Sequence, residues 1–256
     1  MFQPLGRTAH IPRGQMGNNC DNNHLSIGIF MSFFSRSAFR RTALALAAGL
    51  MLASCSGASN DGFVKEYEEL NGQKSSGENT YMDVNIPDDH RFVTASEEQV
   101  RELLTNGNGA IFFGFPECPW CRNAVPVMNE AAEAVNLDEI YYVNVDEMRD
   151  QKALNEDGEI VTDKEGSDFY YYLLDELGDQ APEYTALKDP NERRITVPLV
   201  AVVVGGNVVT THLGTVDSQE DPYVPLTSEQ HDELLDTYKT IFSRIPGCSE
   251  EELVCE

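Results

Sequence analysis

Two cysteines separated by two residues, Cys118-Pro119-Trp120-Cys121, are the part of this chain best suited to chemistry. The spacing fits thiol–disulfide exchange, in which one sulfur attacks a disulfide and the other resolves the mixed disulfide that forms. The flanking pattern assigns the roles. An apolar run, Ala110 to Phe115, predicts a buried strand that stops at Pro116, and a helical pattern follows the motif. Pro119 suits the first turn of a helix, where its missing N–H costs nothing. Cys118 then falls at or beside the N-cap, facing unpaired backbone N–H groups and the positive end of the helix dipole. Both favour the thiolate, which is the nucleophile. Cys121 lies one turn further on, on the same face. Cys118 is thus the expected attacking thiol and Cys121 the resolving one. The bland alternative is a purely structural disulfide in a binding domain.

The elements that must position this pair can be followed along the chain. Arg91 to Thr94 predicts a first strand. Ser96 and Gln99 make a capping box for a helix with Val100, Leu103 and Leu104 on its inner face, stopped by Asn106-Gly107. After the Ala110–Phe115 strand, a helix is expected from Pro119 to about Val135, kinked at Pro126. Ile140 to Val145 is the next strand. The order β-α-β-α-β implies an α/β fold with parallel core strands and covering helices. From Asp146 to Arg194 the pattern is less regular. Asp157-Gly158 and Glu165-Gly166 mark turns around a small hairpin at Glu159 to Thr162. Asp168 to Leu177 predicts a helix capped by Ser167 and stopped by Gly178, with Tyr170, Tyr171 and Tyr172 as packing residues. Leu199 to Val204 and Val208 to Leu213 make an antiparallel hairpin around Gly205-Gly206-Asn207, so the sheet is mixed. Ser228 opens a last helix whose inner face is Leu234, Leu235, Tyr238, Ile241, Phe242 and Ile245. His212 and His231 read as packing or surface residues, not ligands.

The formal net charge is −25, and five of the 18 basic residues but only one of the 43 acidic ones precede Cys55. So acidic a surface repels nucleic acid and anionic headgroups, which argues against both as partners; solvation and solubility are the better reading of the charge. Met31 to Cys55 reads as a targeting signal: Arg36, Arg40 and Arg41, then a Thr42–Ala53 apolar run too short to span a bilayer. Its end, Leu52-Ala53-Ser54-Cys55, resembles the bacterial lipoprotein signal, in which the cysteine is lipid-modified and becomes the first mature residue. An ordinary signal ending near a cysteine is the alternative. Residues 1–30 lack periodicity, and Met31 is the better start. They are expected to be an over-extended start or a disordered extension, with no role for Cys20. Residues 31–54 are then the signal peptide, 55–90 a flexible tether (with a short helix at Phe63 to Leu70), and 91–256 the domain.

Cys-Pro-Trp-Cys after the second strand, Pro126 in the following helix and Val197-Pro198 before the hairpin together resemble the thioredoxin superfamily, over roughly residues 91–245 without the insertion. Within it the chain looks most like lipid-anchored thioredoxin-like proteins of Gram-positive bacteria, including the group labelled bacteriocin-transport accessory proteins. The resemblance implies a thioredoxin-like fold with a helical insertion before the cis-Pro strand. It implies a cis bond at Pro198, with the backbone of Val197 beside the sulfur pair. Val197, Pro198 and Trp120 would then contact substrate. No cofactor and no metal is implied. Two positions depart from the family. Phe112 stands where many thioredoxins bury an acid that accepts the proton of the second cysteine. Glu117 replaces the usual tryptophan, and a carboxylate close to Cys118 would raise its pKa.

Cys248 and Cys255 remain. A structural disulfide between them is expected to stabilise the C-terminus by about 2–3 kcal/mol. The alternatives are a second redox pair or a zinc shared by Cys118, Cys121, Cys248 and Cys255. The expected function is an extracytoplasmic, membrane-anchored thiol–disulfide oxidoreductase. It would act on exported proteins and exchange electrons with a membrane donor or acceptor. A non-catalytic accessory or adaptor lipoprotein for an export or bacteriocin-transport system is the rival.

Overall fold

Two neighbouring strands are buried on both faces, with alternate residues in separate apolar clusters, and this decides the layering. The computed structural model describes residues 61–249. The expected signal peptide, Cys20, Cys55 and Cys255 lie outside the described residues. The helices are α1 (Asp61–Glu68), α2 (Glu97–Asn106), α3 (Pro119–Ala134), α4 (Asp168–Leu177) and α5 (Ser228–Phe242). The strands are β1 (Phe92–Thr94), β2 (Gly109–Gly114), β3 (Ile140–Asn144), β4 (Gln151–Leu154), β5 (Ile160–Lys164), β6 (Leu199–Val204) and β7 (Asn207–Leu213). In β2, Ala110 and Phe112 join one apolar cluster while Ile111 and Phe113 join another. In β6, Val200 and Val202 go with the first, and Leu199, Ala201 and Val203 with the second. A strand buried on both faces must be covered on both faces. α1, α3 and α5 cover one side, and α2 and α4 the other.

The result is an α/β architecture with a five-stranded mixed sheet in the order β1-β3-β2-β6-β7. β3 runs parallel to both β1 and β2. β6 runs antiparallel to β2, and β7 to β6. The helix starts agree with the expected caps. The Ser96–Gln99 capping box closes α2, and the Ser167 side chain accepts from the Tyr170 N–H at the start of α4. The cap of α5 is Thr227, one residue before the expected start, paired with Gln230 in a second capping box. Gly206 in the β6–β7 turn has φ +78, and a Cβ there would lie 2.4 Å from the Thr105 carbonyl oxygen. Only glycine fits both the dihedral and that approach. Tyr170 is fully buried, as expected of a packing residue, but Tyr171 is exposed and hydrogen-bonds Glu165 through its hydroxyl.

Two expectations need correction. The stretch between β3 and β6 holds the expected hairpin beside α4, but Glu159 to Thr162 covers only part of its second arm: the turn at Asp157-Gly158 joins β4 to β5, and Leu154 pairs with Ile160. The larger correction concerns residues 61–90, which are not a flexible tether. Phe63 and Tyr67, one turn apart on α1, are both 0% exposed, and so is Val84. The Phe63 ring stacks on Phe92 at 4.4 Å and meets Tyr142 edge-on at 4.7 Å. The low apolar content of this segment is concentrated in a few large side chains, and the spacing i, i+4 puts two of them on one helix face. Tyr81 and Ile86 are also buried.

Phe63→Ala therefore removes a core side chain, and is expected to cost about 3–5 kcal/mol. Urea denaturation of the variant measures this; a tether residue would change stability by nothing detectable.

Candidate functional site

The site begins where β2 ends. After Gly114 the chain turns through Phe115, Pro116 and Glu117, and Cys118 becomes the N-cap of α3 with φ −77 and ψ 111. Its extended backbone frees the side chain to point back over the first turn. There the sulfur accepts the Cys121 N–H at 3.3 Å. Pro119 occupies the first helical position. Pro126 lies inside α3.

The other wall is the segment leading into β6. Val197–Pro198 is a cis peptide bond. The Val197 carbonyl oxygen is 3.9 Å from the Cys118 sulfur, close enough to accept from the thiol form. The Gly214 N–H donates to the Pro198 carbonyl at 2.8 Å and ties the end of β7 to this segment. Cys118 is 6% exposed and Cys121 is 0% exposed. Beside them an open groove of ≈ 390 Å³ is lined by Trp120, Val197, Leu213, Gly214, Val216 and Gln219. The structure thus brings together Cys118, Cys121, Trp120, Val197 and Pro198. Cys248 is partly buried at the end of the domain, donating its N–H to Ile245, and its proposed partner Cys255 is outside the described residues.

The two thiols are driven apart electrostatically. The hydrogen bond from the Cys121 side chain lowers the Cys118 pKa most. Burial opposes it, and the Cys121 and Trp120 amides and the Arg149 charge add to the lowering. Burial pushes Cys121 well up, and the bond it donates to Cys118 pushes the same way. The two shifts run in opposite directions, so Cys118 is the more readily ionised of the pair and Cys121 the less. Glu117 does not overturn this. Its side chain is exposed, and its charge bears on Tyr81, Arg122 and Tyr142.

Sequence reasoning passed over several residues that build the site. Arg122 is 0% exposed and follows the resolving cysteine directly. Its guanidinium donates to the carbonyls of Tyr67 (2.8 Å), Met82 (2.8 and 2.9 Å) and Pro116 (3.3 Å), and to Asn71 Oδ1. It thereby fastens residues 67–82 onto the start of α3. The available signal was an arginine amid the apolar inner positions of α3, but the carbonyls it satisfies leave no trace in a sequence. Arg149, stacked over Phe115 at 4.8 Å, brings a positive charge toward both sulfurs. Phe112 does occupy the expected position before the motif, stacked on Tyr142 at 5.6 Å.

No protein-family model matches the sequence, and no curated protein matches it. Among the described residues no group of three or more His, Cys, Asp or Glu could hold a metal ion, and no helix is long and apolar enough to cross a membrane.

Alkylation of the reduced protein across pH tests the thiol assignment. Cys118 is expected to react with a midpoint below the free-cysteine value of about 8.5. Cys121→Ala removes the largest lowering cause and should move that midpoint up. A midpoint that the substitution leaves in place, or moves down, contradicts the assignment.

Proposed function

We propose that this chain is a thioredoxin-like, membrane-anchored thiol–disulfide oxidoreductase that works outside the cytoplasm on exported proteins. The observation that carries the reading is the position of the Cys118 sulfur. It lies at the start of α3, holds the Cys121 N–H at 3.3 Å and faces the Val197 carbonyl across 3.9 Å. That placement supplies a stabilised thiolate, a resolving thiol one turn away, and a backbone edge to which a substrate strand can pair. The sheet, with two parallel crossovers and a closing hairpin, supports the thioredoxin-like assignment, as does the cis bond before β6.

The steps follow from the two sulfurs. In the reducing direction the Cys118 thiolate attacks one sulfur of a substrate disulfide, and the other sulfur leaves as a thiolate. Cys121 then attacks Cys118, closing the Cys118–Cys121 disulfide and releasing the second substrate sulfur. The substrate gains the two electrons that the cysteine pair loses. In the oxidising direction the same steps run backwards, and the pair accepts electrons from substrate thiols. A membrane-bound partner restores the pair. Trp120 and the apolar side of the groove would hold the residues flanking the substrate cysteine. Anchoring through a lipid on Cys55 belongs to the same proposal.

One observation favours the rival reading, a non-catalytic accessory or adaptor lipoprotein: Cys118 is only 6% exposed. Cys121→Ala separates the two. In intact cells this variant should accumulate disulfide-linked complexes through Cys118, seen by non-reducing electrophoresis and mass spectrometry, which vanish in a Cys118→Ala/Cys121→Ala double variant. An absence of such complexes, with Cys118 unreactive toward small disulfides, would establish the adaptor instead.

A further inference from the structure

The domain is short of cations, and those it has are unevenly spread. From Cys55 onward there are 13 basic residues against 42 acidic ones. Four of the 13, Arg149, Lys152, Lys164 and Arg194, line a single cavity of ≈ 350 Å³. That cavity adjoins the thiol site. Its wall includes Thr196, which also lines the groove beside Trp120 and Val197. Cavity and groove therefore meet one residue from the Val197 carbonyl that faces the Cys118 sulfur. Arg149 comes close from the other direction. It lies over the Phe115 ring at 4.8 Å, and the Phe115 carbonyl accepts the Cys118 N–H at 3.2 Å.

The four cations are not equally committed. Lys152 and Arg194 both pair with the buried Asp150, and Lys152 also with Glu192. Arg149 and Lys164 are partly exposed, and their partners are loose. Arg149 reaches Asp146, three residues before it, at 2.9 Å. Lys164 donates to the Glu147 carbonyl at 2.8 Å, but the exposed Glu147 carboxylate is 3.9 Å away. Surface pairs of this kind contribute little, so another carboxylate can share or displace them at small cost. The Thr196 hydroxyl is covered and has no hydrogen-bond partner among the described residues, which leaves a spare donor where the cavity meets the groove. Elsewhere around the sulfur the charges are negative: Asp217 lines the groove, and the exposed Glu117 precedes Cys118. A carboxylate is repelled there and received only on the Arg149 side.

We propose that this cavity is a subsite for an acidic side chain of the substrate protein, held by Arg149 and Lys164. The inference rests on the oxidoreductase reading and adds a substrate class to it. Thr196 is one residue from Val197, so the acid falls within about three residues of the substrate cysteine. Because only one side of the site accepts negative charge, the acid also fixes which way the substrate strand runs past Val197.

The test uses the reduced full chain and short peptides whose single cysteine is joined by a disulfide to a coloured nitrobenzoate thiol. Attack by Cys118 on the peptide sulfur releases the coloured thiolate. Glutamate, glutamine or lysine is placed in turn at each of the three positions before and after the cysteine. At one position glutamate should react about fivefold faster than glutamine, and lysine more slowly than either. Each variant is read as its own glutamate-to-glutamine ratio, which cancels any change in the thiol itself. Lys164→Glu should abolish or reverse the preference, and Arg149→Gln should reduce it. Lys65→Glu, the same charge change on the exposed face of α1, should leave the ratio as in wild type. No glutamate preference at any position overturns the subsite while leaving the oxidoreductase reading intact. A preference that Lys65→Glu weakens as much as Lys164→Glu also overturns it, since that marks overall charge. A wild-type protein that attacks none of the peptides refutes the oxidoreductase reading, and the subsite with it.

Discussion

The amides at the start of α3 have no partners within the helix, and a sulfur placed among them is better off charged. Everything distinctive in the site depends on that constraint. β2 must end where it does, so that Cys118 rather than a residue inside the helix becomes the cap. Pro119 fixes the first turn, and Cys121 falls one turn deeper, where water does not reach. Two chemically identical side chains acquire opposite tendencies because one is at the edge of the helix and the other beneath it.

The second wall has a separate origin. Val197 and Pro198 come from a segment some eighty residues downstream of Cys118, after the β4–β5 hairpin and α4. The two ends of that insertion are held to each other by polar contacts. Asp150, 2% exposed, pairs with Arg194, which also lies over the Tyr184 ring. Lys152 joins Asp150 and Glu192. A buried carboxylate without its cation would be costly, so these residues are constrained to meet. Their meeting sets the approach of Arg194 and Ile195 toward Thr196 and Val197.

Much of the sheet could be read from the sequence because its signals are local. Runs such as Ala110 to Phe115 and Leu199 to Val204 are apolar at every position. Caps such as Ser96 with Gln99 and Ser167 are short patterns with a mechanical cause. The motif and the proline at 198 carried the site for the same reason. What escaped was nonlocal. Phe63 and Tyr67 sit in a polar stretch, and only the hollow formed by Phe92, Tyr142 and α3 makes them core residues. Arg122 went unremarked because its partners are backbone oxygens of residues far away in sequence. α1 was legible as a short helix, but not its place in the core.

Folding residues 61–86 into the domain alters the geometry of any attachment at Cys55. A tether running to residue 90 would have let the catalytic face sweep a wide shell above the bilayer. If Cys55 carries the proposed lipid, the six residues 55–60 are all the chain between it and Asp61 at the start of α1. Fully stretched, six residues reach about 20 Å. Such an anchor would confine the site to a thin layer, within reach of proteins still emerging from the membrane or lying flat against it.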